Sequence, residues 1–328
     1  MNKKKRVVSL VIILFTSMAL LFGRKTNSTT ANGFLKMDIG ARSLAMGGAF
    51  TAVADDINSI RYNPAGTRNL DKLEVQATHM EWIADLNVEQ LSIGSMLPAY
   101  KRRYLDVISA SLFYMGSETK IEGRDELGNI TDPDLRYNSF VLTINGSRAL
   151  DLYDNIFVGG NIKYSEENLV DNKYSSILLD GGVLYKYNKE INFGFAIRNI
   201  GRSDNGDKMP LEVRLGSSIQ RDKLGLSLDL YKFYDTDVSF ALGGEYFIKD
   251  ILVLRAGYNY SISDNGKLVD YENWSEVSDY MVSGLSVGFG FLTKPIDFFR
   301  GYEFKLDYAM VNYGRLGFTH IFTLSTEF

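Results

Sequence analysis

Apolar and polar residues alternate with period two along most of the chain from about residue 72 onward. In one such segment Leu224, Leu226, Leu228 and Leu230 alternate with Lys223, Gly225, Ser227 and Asp229. Successive side chains of a β-strand point to opposite faces, so this alternation predicts strands with one apolar face and one polar or small face.

Fourteen segments of this kind can be counted. They lie at about 72–82, 87–97, 104–116, 136–150, 155–165, 174–187, 190–200, 209–220, 222–232, 237–248, 251–262, 279–292, 302–312 and 317–328. A soluble sandwich would show a similar alternation in shorter strands. Tilted strands of about ten residues match the hydrocarbon thickness of a bilayer. We therefore predict an all-β fold, a transmembrane antiparallel barrel of about 14 strands over residues 71–328.

The lengths of the connections support the barrel. The tight connections are even-numbered and lie at 151–154, 188–189, 221 and 249–250, whereas the long ones are odd-numbered and lie at 117–135, 166–173, 201–208 and 263–278. Outer-membrane barrels alternate short periplasmic turns with longer outer loops. Two even-numbered connections, 98–103 and 293–301, are longer than this rule expects.

The last predicted strand ends in an aromatic residue. Counting back from Phe328 in steps of two reaches Leu324 and Phe322, on a face compatible with lipid. This ending resembles the signal that the outer-membrane barrel assembly machinery reads. The alternative is an edge strand that happens to end in Phe.

The first residues have the layout of a secretory signal. Three lysines and an arginine at 3–6 precede an apolar run at 7–22, which is short for a spanning helix. We predict a signal peptide over residues 1–31 with cleavage between 23 and 31, and an N-terminal membrane anchor is the alternative. Cleavage after residue 31 would leave 30 basic and 40 acidic residues, a net charge of −10. An acidic exported chain argues against nucleic acid as a partner. The signal and the predicted barrel together favour the outer membrane as its location.

The composition offers little catalytic chemistry. The chain has no cysteine and only two histidines, His79 and His320, which excludes disulfides, cysteine-ligated metals and thiol nucleophiles. A membrane-embedded phospholipase would need a Ser–His pair, and neither histidine lies in a recognisable nucleophile motif. We therefore predict no catalytic residue, no cofactor and no metal. The pair Glu166-Glu167 is expected in a solvated outer loop.

The segment before the first strand has its own pattern. It runs from residue 34 to 66 as FLKMDIGARSLAMGGAFTAVADDINSIRYNPAG. Its glycines allow positive φ and close backbone approach, and Asp55 or Asp56 can cap a helical turn over residues 57–61. Asn63 precedes Pro64 and should end that turn. No Gly-Lys-Ser/Thr follows the Gly-Gly pair, which argues against a phosphate loop.

This segment resembles the N-terminal signature of the PorV/PorQ family of outer-membrane proteins, which belongs with the FadL-type barrels. The residues that carry the likeness are Gly40, Arg42, Met46, Gly47, Gly48, Asp55, Asp56, Asn63, Pro64, Ala65 and Gly66. The resemblance implies that residues 32–70 fold into the barrel lumen as a plug or hatch.

Charges of both signs are predicted to face the lumen. They are Asp180, Lys186, Arg198, Glu212, Arg214, Lys223, Asp229, Glu245, Arg255, Lys305 and Asp307. A selective pore would favour one sign, so this mixed set is expected to pair with itself and with the plug.

Three functions remain open. The PorV/PorQ resemblance implies a non-enzymatic component of type IX-like secretion that binds a translocon or exported cargo. The FadL-type resemblance implies an importer of hydrophobic small molecules such as long-chain fatty acids, released sideways through the wall. The third is a passive structural barrel. Outer-membrane lipid is an expected partner in each case.

Overall fold

The structure is a computed structural model that describes residues 30–117, 121–124, 130–135, 137–150, 153–169, 172–249, 251–261, 284–293 and 303–328. The predicted signal peptide and its cleavage site lie almost entirely outside the described residues. So do most of the predicted connections at 263–278 and 293–301.

Fourteen antiparallel strands form a closed barrel. The strands are β1 (Glu74–Glu81), β2 (Leu86–Met96), β3 (Val107–Ser117), β6 (Tyr137–Leu150), β7 (Tyr153–Leu169), β8 (Asn172–Lys186), β9 (Ile191–Ser203), β10 (Glu212–Arg221), β11 (Leu224–Phe233), β12 (Ser239–Ile248), β13 (Leu252–Ser261), β14 (Leu285–Leu292), β15 (Glu303–Asn312) and β16 (Phe318–Glu327). Each strand pairs with the next barrel strand along the chain, and β1 pairs with β16 to close the ring. The predicted barrel and its strand number are confirmed.

Two predicted loops are partly strand. Residues 166–173 were expected as an outer loop, but the pairing of β7 with β8 continues to Leu169 and Asn172. Glu166 is consequently a ladder residue that contacts Tyr164 and Lys173 instead of standing in a solvated loop. In the third connection, β4 (Ile121–Arg124) and β5 (Ile130–Leu135) form a separate two-stranded sheet.

The two faces of the wall differ in polarity in the opposite sense to a soluble protein. On β16 the outward Phe322 and Leu324 are 46% and 52% exposed, whereas Thr323 and Ser325 between them are buried. On β2 the exposed Leu91 and Ile93 alternate with buried polar residues, and on β11 exposed leucines do the same. An apolar exterior around a polar interior is the arrangement of a barrel surrounded by lipid. No helix among the described residues is long and apolar enough to cross a membrane.

Residues 30–70, called here the N-terminal segment, pack against the inward face of the wall. They form two short α-helices, α1 (Ala41–Ala45) and α2 (Ser59–Tyr62), and two 3₁₀ turns, Gly33–Lys36 and Pro64–Asn69. Most of their side chains are buried, and their hydrogen bonds reach inward-facing residues on strands all around the ring. The segment therefore occupies the barrel interior.

The first and last strands meet at one end of the barrel. The N–H of Phe328 donates to the carbonyl oxygen of Leu73 at 2.9 Å, directly before β1. This end, which also holds the even-numbered connections, is called the proximal end. Phe328, Leu324 and Phe322 all lie on the outward face of β16 and its terminus.

The lipid-facing wall predicts a depth-dependent effect of charge. Leu228 lies near the middle of β11 and points outward, while Leu224 points outward at the proximal end of the same strand. Leu228→Arg should lower the free energy of unfolding by about 2–4 kcal/mol and Leu224→Arg by about 0–1 kcal/mol. Denaturant unfolding of both variants in lipid vesicles checks this. Equal, negligible effects would mean that the leucine face contacts water.

Candidate functional site

The backbone of the N-terminal segment closely approaches the wall of β12 and β13 at two glycines. A Cβ at Gly243 would lie 2.7 Å from the carbonyl oxygen of Met46, and a Cβ at Gly257 would overlap the backbone of Gly47. The N–H of Gly47 donates to Ser286 Oγ at 3.0 Å. Glycine on both sides of the contact lets two main chains lie against each other without intervening side chains.

Positive φ angles fix the turn at this contact. Gly47 and Gly48 have φ values of 66° and 81°, a region that residues with a Cβ rarely adopt. Asn259 Nδ2 donates to the carbonyl oxygen of Gly47 at 2.9 Å. Gly40 has φ 108°, where any Cβ would overlap the side chain of Asn58. Met46 itself is buried beside Phe50 and Tyr62.

Arg42 is the centre of an acidic cluster that joins the segment to the wall. Its Nη1 lies 2.6 Å from Asp55 Oδ1 and 3.1 Å from Asp56 Oδ2, and its Nη2 lies 2.9 Å from Glu245 Oε1 on β12. Arg255 Nε reaches the same Glu245 at 3.2 Å. One guanidinium thus bridges two carboxylates of the segment and one of the barrel.

The two aspartates differ in exposure. The side chain of Asp55 is 49% exposed, whereas that of Asp56 is 11% exposed. Burial raises the pKa of Asp56, and the charge of Arg42 opposes that rise. Asp56 Oδ1 accepts the N–H of Asn58 at 2.9 Å, at the start of the turn that leads into α2. The cap position of α2 belongs to Asn58, two or three residues later than the sequence suggested.

A second charged cluster connects the segment to β9 and β10. Asp38 accepts from Arg214 Nη1 at 3.2 Å and lies 3.7 Å from Arg198 Nη2. Arg198 also forms a close ion pair with Glu212. Arg214 Nη2 donates to the carbonyl oxygen of Gly48 at 3.1 Å. The side chains of Arg214 and Glu212 are fully buried, so this cluster stands in a water-poor interior.

The Asn63-Pro64-Ala65-Gly66 element rests on the wall of β6–β8. Asn63 has extended backbone and ends α2, and its Nδ2 donates to the carbonyl oxygen of Val183 at 3.0 Å. Asn145 Nδ2 donates to the carbonyl oxygen of Pro64 at 3.2 Å. Ala65 packs against Phe157 and Leu184. Ala65 and Gly66 belong to a 3₁₀ turn that leads toward β1.

A polar cavity lies between the segment and β3 and β6–β9, and sequence reasoning did not find it. Lys163 Nζ lies 2.8 Å from Asp180 Oδ1 and 2.5 Å from Asn199 Oδ1. Arg61 projects from α2 into the same cavity, with its guanidinium 4.9 Å from the Phe113 ring centroid. Burial and the nearby charge of Arg198 lower the pKa of Arg61 to about 10.

The predicted lumen-facing charges are mostly placed as expected. The buried members of that set are Asp180, Arg198, Glu212, Arg214, Asp229, Glu245, Arg255 and Asp307. Lys186 and Lys305 are half-buried. Lys223 is an exception, because it lies in the turn between β10 and β11 and is exposed.

Both histidines point away from the interior. His320 Nδ1 lies 2.8 Å from the hydroxyl of Tyr308, and His79 Nδ1 lies 2.6 Å from Glu89 Oε1. These four residues are on the outward face of the β15–β16–β1–β2 region. Among the described residues, no group of three or more acidic or histidine side chains is arranged to hold a metal ion.

Comparisons with known proteins identify one matching family profile and several structures with a similar architecture. The profile of an uncharacterised protein family, UPF0164, matches residues 16–168. A search of curated proteins gave no match. The toluene transporter TbuX of Ralstonia pickettii has a similar structure, with a TM-score of 0.58, 15% identity and coverage of 88% of this chain and 98% of TbuX.

Two further solved structures are similar over most of both chains. A FadL homologue of Pseudomonas aeruginosa gives a TM-score of 0.57 at 11% identity and covers 92% of this chain and 99% of its own. The toluene transporter TodX of P. putida gives 0.58 at 14% identity, with coverage of 88% and 98%. The chain thus has the fold of the FadL-type outer-membrane barrels.

Loss of the Arg42 guanidinium should loosen the N-terminal segment. Arg42→Ala leaves Asp56 and Glu245 without their shared cation, which we expect to cost about 3 kcal/mol, the low end for a buried pair because Arg42 is partly exposed. Amide hydrogen exchange over residues 40–62 should quicken about 100-fold. Lys72→Ala is the control, because the Lys72–Glu303 pair is largely exposed. Unchanged exchange in Arg42→Ala would contradict the bridging role.

Adjacent glycines offer a matched test of the backbone contact. Gly243 faces Met46, whereas a Cβ at the neighbouring outward Gly244 would meet nothing nearer than 3.5 Å. Gly243→Ala should destabilise the barrel by about 1–3 kcal/mol through overpacking, and Gly244→Ala should change it by less than about 0.5 kcal/mol. Chemical denaturation in lipid measures both. Identical values would show that the contact at Gly243 is not close.

Proposed function

We propose that the protein is a non-enzymatic outer-membrane transporter for hydrophobic small molecules, with the N-terminal segment as a plug. An apolar groove on the outward wall carries the proposal. It has a volume of about 690 Å³ and is lined mainly by apolar and small residues, which include Leu226, Leu228, Leu242, Ala256 and Leu285. That volume is within the range of small-molecule sites.

The groove lies over two glycines of the wall that face the plug. Gly243 and Gly257 contribute to its floor, and on their inner side they touch Met46 and Gly47 of the plug. Only main chain therefore separates the apolar exterior from the plug at this point. A small shift of Met46–Gly47 would bring the interior next to the groove, which suits sideways release of a hydrophobic solute into lipid.

The ion pairs of the plug suit this role because they oppose a permanent aqueous pore. Arg42 with Glu245 on β12, and Asp38 with Arg214 on β10, fasten the plug to two strands of the wall that are separated by β11. The fold likeness to barrels named as toluene transporters points to the same class of cargo. Toluene and oleate are accordingly the probes of choice.

A role in secretion is the second candidate. The resemblance of the sequence of residues 34–66 to PorV/PorQ supports it. Ion pairs that close the lumen, such as Arg255 with Asp307 at 2.5 Å, support it as well. In that role the barrel would bind a translocon or cargo protein and would carry no solute. The sequence resemblance alone carries the type IX assignment, so we rank it below transport.

Filling the groove should stop transport. Ala256 points outward within the groove, and Ala256→Trp should reduce uptake of labelled toluene or oleate at least 10-fold in cells whose outer membrane lacks another route. Leu142→Trp is the control, because Leu142 is an outward, 44% exposed residue on β6 away from the groove. Heat-modifiable migration on gels shows that each variant is folded.

Two outcomes would contradict the proposal. Wild-type uptake no greater than that of cells without the protein, for both probes, would remove the transport function. An equal loss of uptake in Ala256→Trp and Leu142→Trp would show that the solute does not pass through the groove. Recovery of a large protein partner from detergent extracts, in the absence of uptake, would favour the secretion role.

A further inference from the structure

The connection between β2 and β3 is unusual for the proximal end. The other described turns there are short, whereas residues 97–106 form a longer loop that contains the run Tyr-Lys-Arg-Arg-Tyr at 100–104. Tyr100 and Tyr104 are 82% and 69% exposed, and the three cations between them are also exposed. The exposure of two large aromatic side chains beside three positive charges requires a physical explanation.

Contacts place this loop on the outer side of the barrel instead of over its lumen. A Cβ at Gly146, an outward position of β6, would lie 2.9 Å from the side chain of Leu105. Arg148, the next outward position, donates from Nη1 to the carbonyl oxygen of Tyr104 at 3.5 Å. The loop is therefore folded over the lipid-facing surface of β6.

The apolar belt begins immediately beyond the loop. Ile108 on β3 and Ile144 on β6 point outward and are 44% and 56% exposed. Leu105 continues this apolar surface to the barrel end, so Tyr104 lies at its edge. Tyrosine is enriched at this depth because its ring has one apolar and one wet end.

The cations of the loop are presented outward. Lys101 Nζ lies 5.6 Å from the Tyr100 ring centroid, and the Arg103 guanidinium lies 5.2 Å from that of Tyr104. The nearest acidic residue in the sequence, Asp106, is engaged elsewhere, since it accepts from Arg68 Nε at 2.7 Å and from the N–H of Ala149 at 2.8 Å. Lys101 and Arg103 therefore each lie beside a tyrosine ring, next to the proximal edge of the apolar belt.

We propose that Tyr100–Tyr104 is a binding site for anionic phospholipid headgroups in the membrane leaflet at the proximal end. The two aromatic rings enter the interface, and Lys101 and Arg103 neutralise the lipid phosphate. The loop thereby fixes the depth and tilt of the barrel beside β3 and β6. This inference does not depend on the proposed transport function.

Removal of two loop charges tests the site. In Lys101→Gln/Arg103→Gln the affinity of the intact chain for phosphatidylglycerol should fall about 30-fold, because each lost cation removes about 1 kcal/mol of attraction. Native mass spectrometry in detergent measures this affinity. Affinity for phosphatidylcholine should change little. The charge-conserving Lys101→Arg/Arg103→Lys should bind phosphatidylglycerol like the wild type.

The control removes the same charge from the same end. Lys223 and Lys249 are exposed in proximal turns, and Lys223→Gln/Lys249→Gln should leave phosphatidylglycerol affinity within about 3-fold of wild type. Equal losses in both double variants would reduce the effect to net charge and overturn the proposal. No loss in the loop variant would overturn it as well.

A second measurement locates the loop itself. Tyr104→Trp should gain fluorescence that brominated phospholipid in nanodiscs quenches, because position 104 would lie at the bilayer surface. Quenching by aqueous iodide without quenching by brominated lipid would place the loop in water. Binding of a soluble polyanion by the loop, with no lipid quenching, would assign it to another partner and contradict the proposal.

Discussion

The rest of the structure depends on the pairing of charges inside a closed ring of strands. A buried charge without a partner is strongly destabilising, and removal of one member of a buried pair costs about 3–5 kcal/mol. Arg214 and Glu212 on the wall are fully buried, and Asp38 of the N-terminal segment lies within 3.2 Å of Arg214. The wall therefore requires the segment as much as the segment requires the wall. This mutual need explains why about forty residues with little regular secondary structure occupy one defined position.

The sequence predicted the barrel well because its main signal is local. Period-two alternation gives the orientation of each side chain without knowledge of its neighbours, and it placed most lumen charges correctly. The pattern failed where the chain leaves a regular strand. At the irregularity where β9 pairs with β8, Arg198 and Asn199 both point inward, with Asn199 at φ 61°, a conformation that asparagine tolerates better than most residues. No parity rule anticipates such a bulge, so the placement of Asn199 beside Lys163 could not be predicted from the alternation.

Residues 34–66 show a second limit. Their glycines predicted positive φ angles and close backbone contacts, and Gly47 and Gly48 do have positive φ. The partners of Gly47, Ser286 and Asn259, are more than 200 residues away in sequence. Those contacts follow only from the register of β12–β14 around the ring, which a single sequence does not give. Strand ends were also hard to predict, because the β7–β8 hairpin continues through polar residues that carry no apolar signal.

An interior lined with ion pairs is compatible with the proposed apolar cargo if the solute does not pass along the charged residues. A hydrophobic solute gains nothing from a charged lumen, so the useful surface in the proposed transport is the apolar groove, which meets the backbone of the segment at Gly243 and Gly257. Movement of the segment toward the proximal end would return Arg42 and Asp55 to water, where separated charges are inexpensive. Movement through the wall would carry the same charges into lipid, where each costs several kcal/mol. For the proposed transport function, the distribution of charge thus favours displacement of the segment along the barrel axis, with sideways exit of the solute through the glycine-lined part of the wall as the proposed route.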